Sequence, residues 1–337
     1  QIPSSEKEIV DKIIEAIQKS DQNYASYLSN PLLLSMFILT YQTYSNVPPK
    51  KSSFYRQVFD SLFYLHDSVS KLSWSREKKS GLSKEQFEYV LQLFSFISFF
   101  KEVFVFEEDF INSTLNQIKE KKKSLNFENL LLIEDLQVAI CILNKEGLDY
   151  VFPHRSLQEY FASLYIVNLD DKNKLEVYKK ILSQLINGNT FELISKDNFH
   201  SLLTEQDFIG VTKNLSIPFL EKINEDIKEI KDNQENIPLI KSLQNYIFSF
   251  NSNSKFTDSL FGIVNNYMYD RHFIIKKAIE RSNGTKIDLK EEENIALNEL
   301  FSKLIKDLKV NLPKTLKELK KYIKEESQSD SSIIDLI

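Results

Sequence analysis

The chain has 337 residues, of which 42% are hydrophobic and 27% charged, with a formal net charge of -5. That length exceeds the roughly 250–300 residues at which single hydrophobic cores stop growing, and the composition is that of a folded rather than a disordered protein. The charge balance supplies no overall basic field for a nucleic-acid partner, and one cysteine, Cys141, excludes both an internal disulfide and a Cys-rich zinc site, which fits the reducing cytoplasm.

Two further absences narrow the class. The apolar run "PLLLSMFIL" from Pro31 is too short to span a bilayer, and no charged start with an apolar follow-on marks a signal peptide. Six glycines are far below the usual share of about 7%, and strand-rich folds and phosphate-cradling loops both need glycine. The expected fold class is therefore mainly α. Neither G-x-x-x-x-G-K-[ST] nor G-x-G-x-x-G occurs, so this chain alone is not expected to hydrolyse ATP. It opens "QIPSSEKE" without methionine and reads as a piece of something longer.

In chain order, Ile9, Val10, Ile13, Ile14 and Ile17 form a helical stripe. Asn30–Pro31 is a helix start: a capping side chain, then a ring whose missing N–H costs nothing in the first turn. That helix should stop before Pro48–Pro49. A second runs from Ser53 to about Ser70. Polarity rises around Trp74–Leu82, marking a boundary. Ser83 and Gln86 form a capping box that opens a helix to about Phe100. A short extended piece and a helix from about Glu107 follow, then a helical turn or two in "NFENLLLIEDLQVA". Two short strands around Asn144–Gly147 form a hairpin with glycine in its turn. Helices followed by a two-stranded wing predict a winged-helix domain from Ser83 to about Leu169.

The stretch from Val151 reads "VFPHRSLQEYFASLYI" and sets His154, Arg155 and Glu159 inside an apolar run. Ser156 with Glu159 reads as a second capping box, starting a helix at about Leu157. His154 would then sit on the joint between wing and helix, free either to pack locally or to offer a ring N–H outside its own domain. The remainder reads as helices with polar joints at Asn251 and Ser282, and a frayed end at Ser327. Phe248, Phe250, Phe256, Phe261, Tyr267 and Tyr269 read as core, a minority of them as partner-facing.

"FPHRSLQEYFASLYI" resembles the F-x-H-x-S-F-Q-E-[FY]-F-A-A segment of the winged-helix domain in NACHT-type NTPases. These are the signal-transducing STAND class, with animal NOD-like receptors and bacterial antiphage homologues. "LSNPLLLSMFILTYQTYSNVPPKKSSFYRQVFDSLF" resembles the same family's first helical domain, in the matching order and separation. The resemblance covers about Tyr24 to Val167; Leu157 stands for the common Phe and Ser163 for the second Ala.

It implies a helical domain over residues 1–75, a winged helix over 76–169, a helical sensor or regulatory region over 170–326 and a flexible tail over 327–337. It also implies that the cofactor is ADP or ATP, with Mg in the parent protein, whose phosphate loop would precede Gln1. Pro31 would border the adenine and His154 would reach the β-phosphate of ADP, while tight nucleotide binding by this piece alone is not expected. The implied partners are the upstream NTPase domain, further copies of the protein on activation, and a ligand (viral in the defence branch) at the C-terminal region; membrane is not among them. Two other readings stay open: a winged-helix nucleic-acid-binding regulator, and a helical protein-interaction scaffold without nucleotide.

Overall fold

The computed structural model of the chain describes residues 11, 14–15, 31–44, 48, 50–69, 78–187, 198–230, 239–240, 242–243, 256, 258–281 and 289–334. The stripe at Ile9–Ile17 lies almost wholly outside these, as do Asn30, Trp74, Phe248, Phe250 and the joints at Asn251 and Ser282. The chain divides into two compact units, Gln1–Asn168 and Leu169–Ile337. Helix dominates both, as glycine scarcity predicts, with one small antiparallel sheet among the described residues.

In the first unit, α1 (Pro31–Tyr44) begins at the proline and α2 (Lys51–Val69) follows Pro48, which lies in neither helix. α3 (Lys84–Phe100) opens on the expected capping box: the Ser83 hydroxyl accepts the Gln86 N–H, and the Gln86 amide oxygen accepts the Ser83 N–H. Then come β1 (Val105–Phe106), α4 (Glu108–Lys121) and α5 (Asn129–Glu134), which runs on into a π-helical turn at Asp135–Ala139. β2 (Asn144–Glu146) and β3 (Asp149–Val151) form the hairpin, turned by Gly147 at φ +67, and α6 (Arg155–Val167) closes the unit. The expected two-stranded wing is a three-stranded sheet, because Val105 and Phe106 pair with Val151 and Tyr150 to give the order β1-β3-β2. Two residues are too few for a period-2 pattern to betray a strand.

The core is aromatic and continuous. Phe37 of α1 meets Phe54 of α2 at 6.3 Å, Phe54 meets Tyr55 at 5.6 Å, and Tyr55 meets Tyr160 of α6 at 5.6 Å. Phe59 stands edge-on to Phe161 at 5.4 Å, and Phe63 to Phe87 of α3 at 5.9 Å. Such pairs contribute about 0.5–1.5 kcal/mol each beyond the area they bury. Along the rim, Arg56 of α2 pairs with Glu88 of α3 at 2.5 Å, and Lys84 pairs with Asp60 at 2.6 Å. The buried Asp135 carboxylate accepts the backbone N–H groups of Lys79 and Ser80, both at 2.8 Å, pinning the chain just ahead of α3.

The second unit contains α7 (Asp171–Asn187), α8 (Phe199–Gln206), α9 (Phe208–Val211), a π-helical turn at Thr212–Ser216, α10 (Ile217–Glu229), α11 (Asp258–Arg281) and α12 (Glu291–Ile334). The frayed end expected at Ser327 is instead helix to Ile334. Hydroxyl-to-carbonyl bonds from Ser331 to Ser327 and from Ser332 to Ser329 give the serines partners within the helix, which composition alone did not reveal. Of the aromatics expected in the core, Tyr267 is buried and Phe256 and Phe261 are half-buried, while Tyr269 is 74% exposed.

Candidate functional site

Beyond β3 the chain crosses Phe152, which is buried edge-on to Phe106 at 5.8 Å, and Pro153, and reaches His154 in extended conformation (φ -148, ψ 136). α6 starts one residue later. The expected capping box at Ser156 and Glu159 is therefore not the one that forms, because His154 is the N-cap and Ser156 lies inside the first turn. The His154 Nδ1 accepts the Ser156 N–H at 3.2 Å and lies 2.5 Å from the Ser156 Oγ. The Ser156 side chain is buried beside the ring instead of reaching down the helix.

This geometry decides the tautomer. A backbone N–H can only donate, so Nδ1 must carry its lone pair and the Ser156 O–H also donates to it. The ring proton therefore resides on Nε2, which makes no hydrogen bond within the described residues. Burial holds the His154 pKa below its ordinary value, which keeps the ring neutral at pH 7 and Nε2 a donor.

The neighbouring polar groups all have partners inside the unit. Arg155 lays its guanidinium 3.6 Å over the Phe104 ring and reaches the buried Glu159 carboxylate at 3.3 Å, so Glu159 serves as an ion-pair partner. Gln158, also buried, donates to the Ser98 Oγ at 2.8 Å and to the Val103 carbonyl at 3.0 Å, tying α6 to the end of α3. The Ser163 hydroxyl returns to the Tyr160 carbonyl at 2.8 Å. Of the polar side chains set into this run, His154 keeps a donor turned to no internal partner.

Pro31 is the first residue of α1 and is exposed, and its carbonyl accepts the Ser35 hydroxyl at 2.8 Å. No hydrogen bond joins it to His154. The two helices communicate through packing, along the ring series Phe37–Phe54–Tyr55–Tyr160. Sequence reasoning did not find Gln158, Asp135 or Arg56, whose partners lie 60, 55 and 32 residues away respectively. Among the described residues no group of three or more His, Cys, Asp or Glu is placed to hold a metal ion. Nor is any described helix long and apolar enough to cross a membrane. No family model, no curated protein and no solved structure matches the chain.

Proposed function

We propose that this chain is the switch-and-sensor portion of a NACHT-type signal-transducing NTPase of bacterial antiphage defence. It would hold the ADP-bound inactive state and release it when a ligand is recognised. The observation that carries the reading is the His154 ring: its Nδ1 is committed to capping α6, which leaves a neutral Nε2–H as a donor for an acceptor outside the unit. A phosphate oxygen is such an acceptor, and a hydrogen bond to a charged group contributes about 1.5–3 kcal/mol. At 1.4 kcal/mol per decade, that shifts a two-state equilibrium roughly 10- to 100-fold.

The element order from Ser83 to Val167 supports the same reading. Helix, strand, helix, helix, strand, strand and helix, with sheet order β1-β3-β2, supports reading this segment as a winged helix. Pro31, exposed at the first turn of α1, is a surface that a base could border. ADP would supply the phosphate that His154 holds, and the rest of its site would come from the upstream polypeptide. In this scheme the unit from Leu169 onward chooses the trigger. A chimera carrying a relative's second unit should answer the relative's trigger, and one that still answers the original would exclude this role.

A nucleic-acid-reading winged helix is disfavoured by one feature. Asn129–Ala139, the segment before the hairpin that would enter a groove, carries Glu134 and Asp135 but no lysine or arginine. The scaffold reading without nucleotide leaves the His154 donor without a role.

The test uses the polypeptide extended through the upstream NTPase region, with retained ADP and its release rate measured. His154→Ala should speed release about 10- to 100-fold and raise basal activity. Unchanged release would make His154 a purely local cap. The 337-residue chain alone should show no magnesium-dependent ATP turnover, and turnover abolished by a point change within it would overturn the assignment.

A further inference from the structure

The net charge of the chain conceals a segregated one. Between Lys303 and Lys324, α12 contains eight lysines against two acids, Asp307 and Glu318, which gives 8 − 2 = +6 over a segment of a chain whose total is -5. All eight lysines are exposed. Six of them follow helical steps of three and four with one valine, as Lys303, Lys306, Val310, Lys314, Lys317, Lys321 and Lys324, and so share a single face. Leu304, Leu308, Leu312, Thr315 and Leu319 take the opposite face and are buried. Lys321 pairs with Glu325 at 3.5 Å; for Lys303, Lys306, Lys314, Lys317 and Lys324 no carboxylate lies within ion-pair distance among the described residues. At 1.5 Å per residue this ridge is about 30 Å long, the length of about nine base pairs.

We infer that the lysine face of α12 binds the phosphate backbone of a nucleic-acid duplex without regard to sequence. Three features select that occupant. Lysine ammonium groups are compact point charges suited to phosphates, and the face has no arginine to read base edges. It carries no aromatic ring on which unpaired bases could stack, since Tyr322 is turned inward against Phe208 at 5.7 Å and Phe256 at 5.4 Å. It offers only Val310 and Pro313 as apolar groups, and Leu304, Leu308, Leu312 and Leu319 behind it are buried in the unit, so this segment has no apolar stripe to insert into a bilayer. The inference does not depend on the nucleotide switch.

The test is fluorescence anisotropy of a labelled 24-base-pair DNA duplex titrated with the intact 337-residue chain across a salt series. Five phosphate contacts predict a slope of log K against log salt of about -4.5, and two contacts about -1.8. The triple variant Lys306→Glu, Lys314→Glu, Lys317→Glu should weaken binding at least tenfold at low salt and flatten the slope. Lys121→Glu, Lys123→Glu, Lys213→Glu, which changes the total charge equally, should change it less than threefold. A Lys→Gln version of the first triple excludes loss of the helix as the cause, with circular dichroism as the check. A duplex RNA should bind within a few-fold of the DNA. No binding at 50 mM salt, equal effects of the two triples, or binding to anionic vesicles in place of duplex would each overturn the inference.

Discussion

The His154 Nδ1 accepts the Ser156 N–H at 3.2 Å, so the residue proposed to face a phosphate is also the cap of its own helix. The two roles use different ring nitrogens and can be separated by substitution. His154→Asn supplies a capping oxygen but no donor at the Nε2 position, while His154→Ala supplies neither. Loss of a cap typically costs about 1 kcal/mol, so the alanine variant should be destabilised by that amount and the asparagine variant by a few tenths at most. Urea unfolding of the 337-residue chain measures this. In the longer polypeptide both variants should lose ADP retention, and retention surviving in the asparagine variant would assign His154 to capping alone.

A second close pair sits in the other unit. The Gly210 N–H donates to the Asp207 carboxylate at 3.0 Å, and that carboxylate also takes the Tyr178 hydroxyl at 2.5 Å and approaches the Lys174 ammonium at 3.5 Å. Burial first, and then this carboxylate, push the Tyr178 pKa up, so the phenol stays protonated and donates. A Cβ on Gly210 would overlap the Asp207 carboxylate. Gly210→Ala should therefore displace a carboxylate held by three partners and cost about 1–3 kcal/mol. In an Asp207→Ala background the obstruction is gone, and the same substitution should become neutral or stabilise by up to about 1 kcal/mol through helix propensity. A cost that persists in the double variant would place the obstruction elsewhere.

The elements legible in the sequence were those whose signals are local. Pro31, Ser83 with Gln86, and Gly147 act over one to four residues, and each stands at the element boundary it predicted. The Ser156–Glu159 pattern misled because S-x-x-E fits equally well inside a helix already capped by an upstream histidine. Sequence spacing cannot rank two capping acceptors two residues apart. The joining of β1 to β3, and the clasp of Gln158 on Ser98 and Val103, rest on partners more than 40 residues apart, which no periodicity encodes. For the candidate site, the sequence pointed to His154 but could not say which nitrogen was spoken for. The lysines between Lys303 and Lys324 are plain in the sequence, but only the burial of the opposite side of α12 makes them a one-sided surface.

His200 gives the second unit a pH dependence of definite sign. It is fully buried in α8, and desolvation lowers its pKa from 6.5 to about 3. Above pH 6.5 both folded and unfolded states hold it neutral and it contributes nothing to the pH dependence. Between 6.5 and 3 the unfolded state binds a proton that the folded state refuses, so stability falls as pH falls, by up to about 1.4 kcal/mol per unit. His200→Phe should flatten this limb, and urea midpoints at pH 7 and pH 5 measure it. An unchanged difference between the two midpoints would assign the acid sensitivity to other groups.

The end of α3 tests how the fold holds Gln158. Glu102 adopts φ +57, the left-handed conformation, immediately after the helix cap at Lys101. There the Glu102 N–H bonds to the Phe99 carbonyl and the Val103 N–H to the Ser98 carbonyl, both at 3.0 Å, which closes the helix and turns the chain toward β1. The turn sets the Val103 carbonyl and the Ser98 hydroxyl where the Gln158 amide reaches both. A side chain in this conformation costs about 1–2 kcal/mol, and glycine avoids it at the expense of a more flexible unfolded chain. Glu102→Gly should accordingly stabilise the protein by about 0.5–1 kcal/mol and leave the Gln158 contacts in place. Gln158→Ala should destabilise by about 1–3 kcal/mol, since it leaves the Val103 carbonyl without that amide donor. Because Glu102→Gly acts on the turn and Gln158→Ala on the groups it positions, the two effects should add only if the glycine holds the same geometry. A double-mutant cycle by urea unfolding measures the difference, and a coupling above about 0.5 kcal/mol would mean that the glutamate conformation itself maintains the contact.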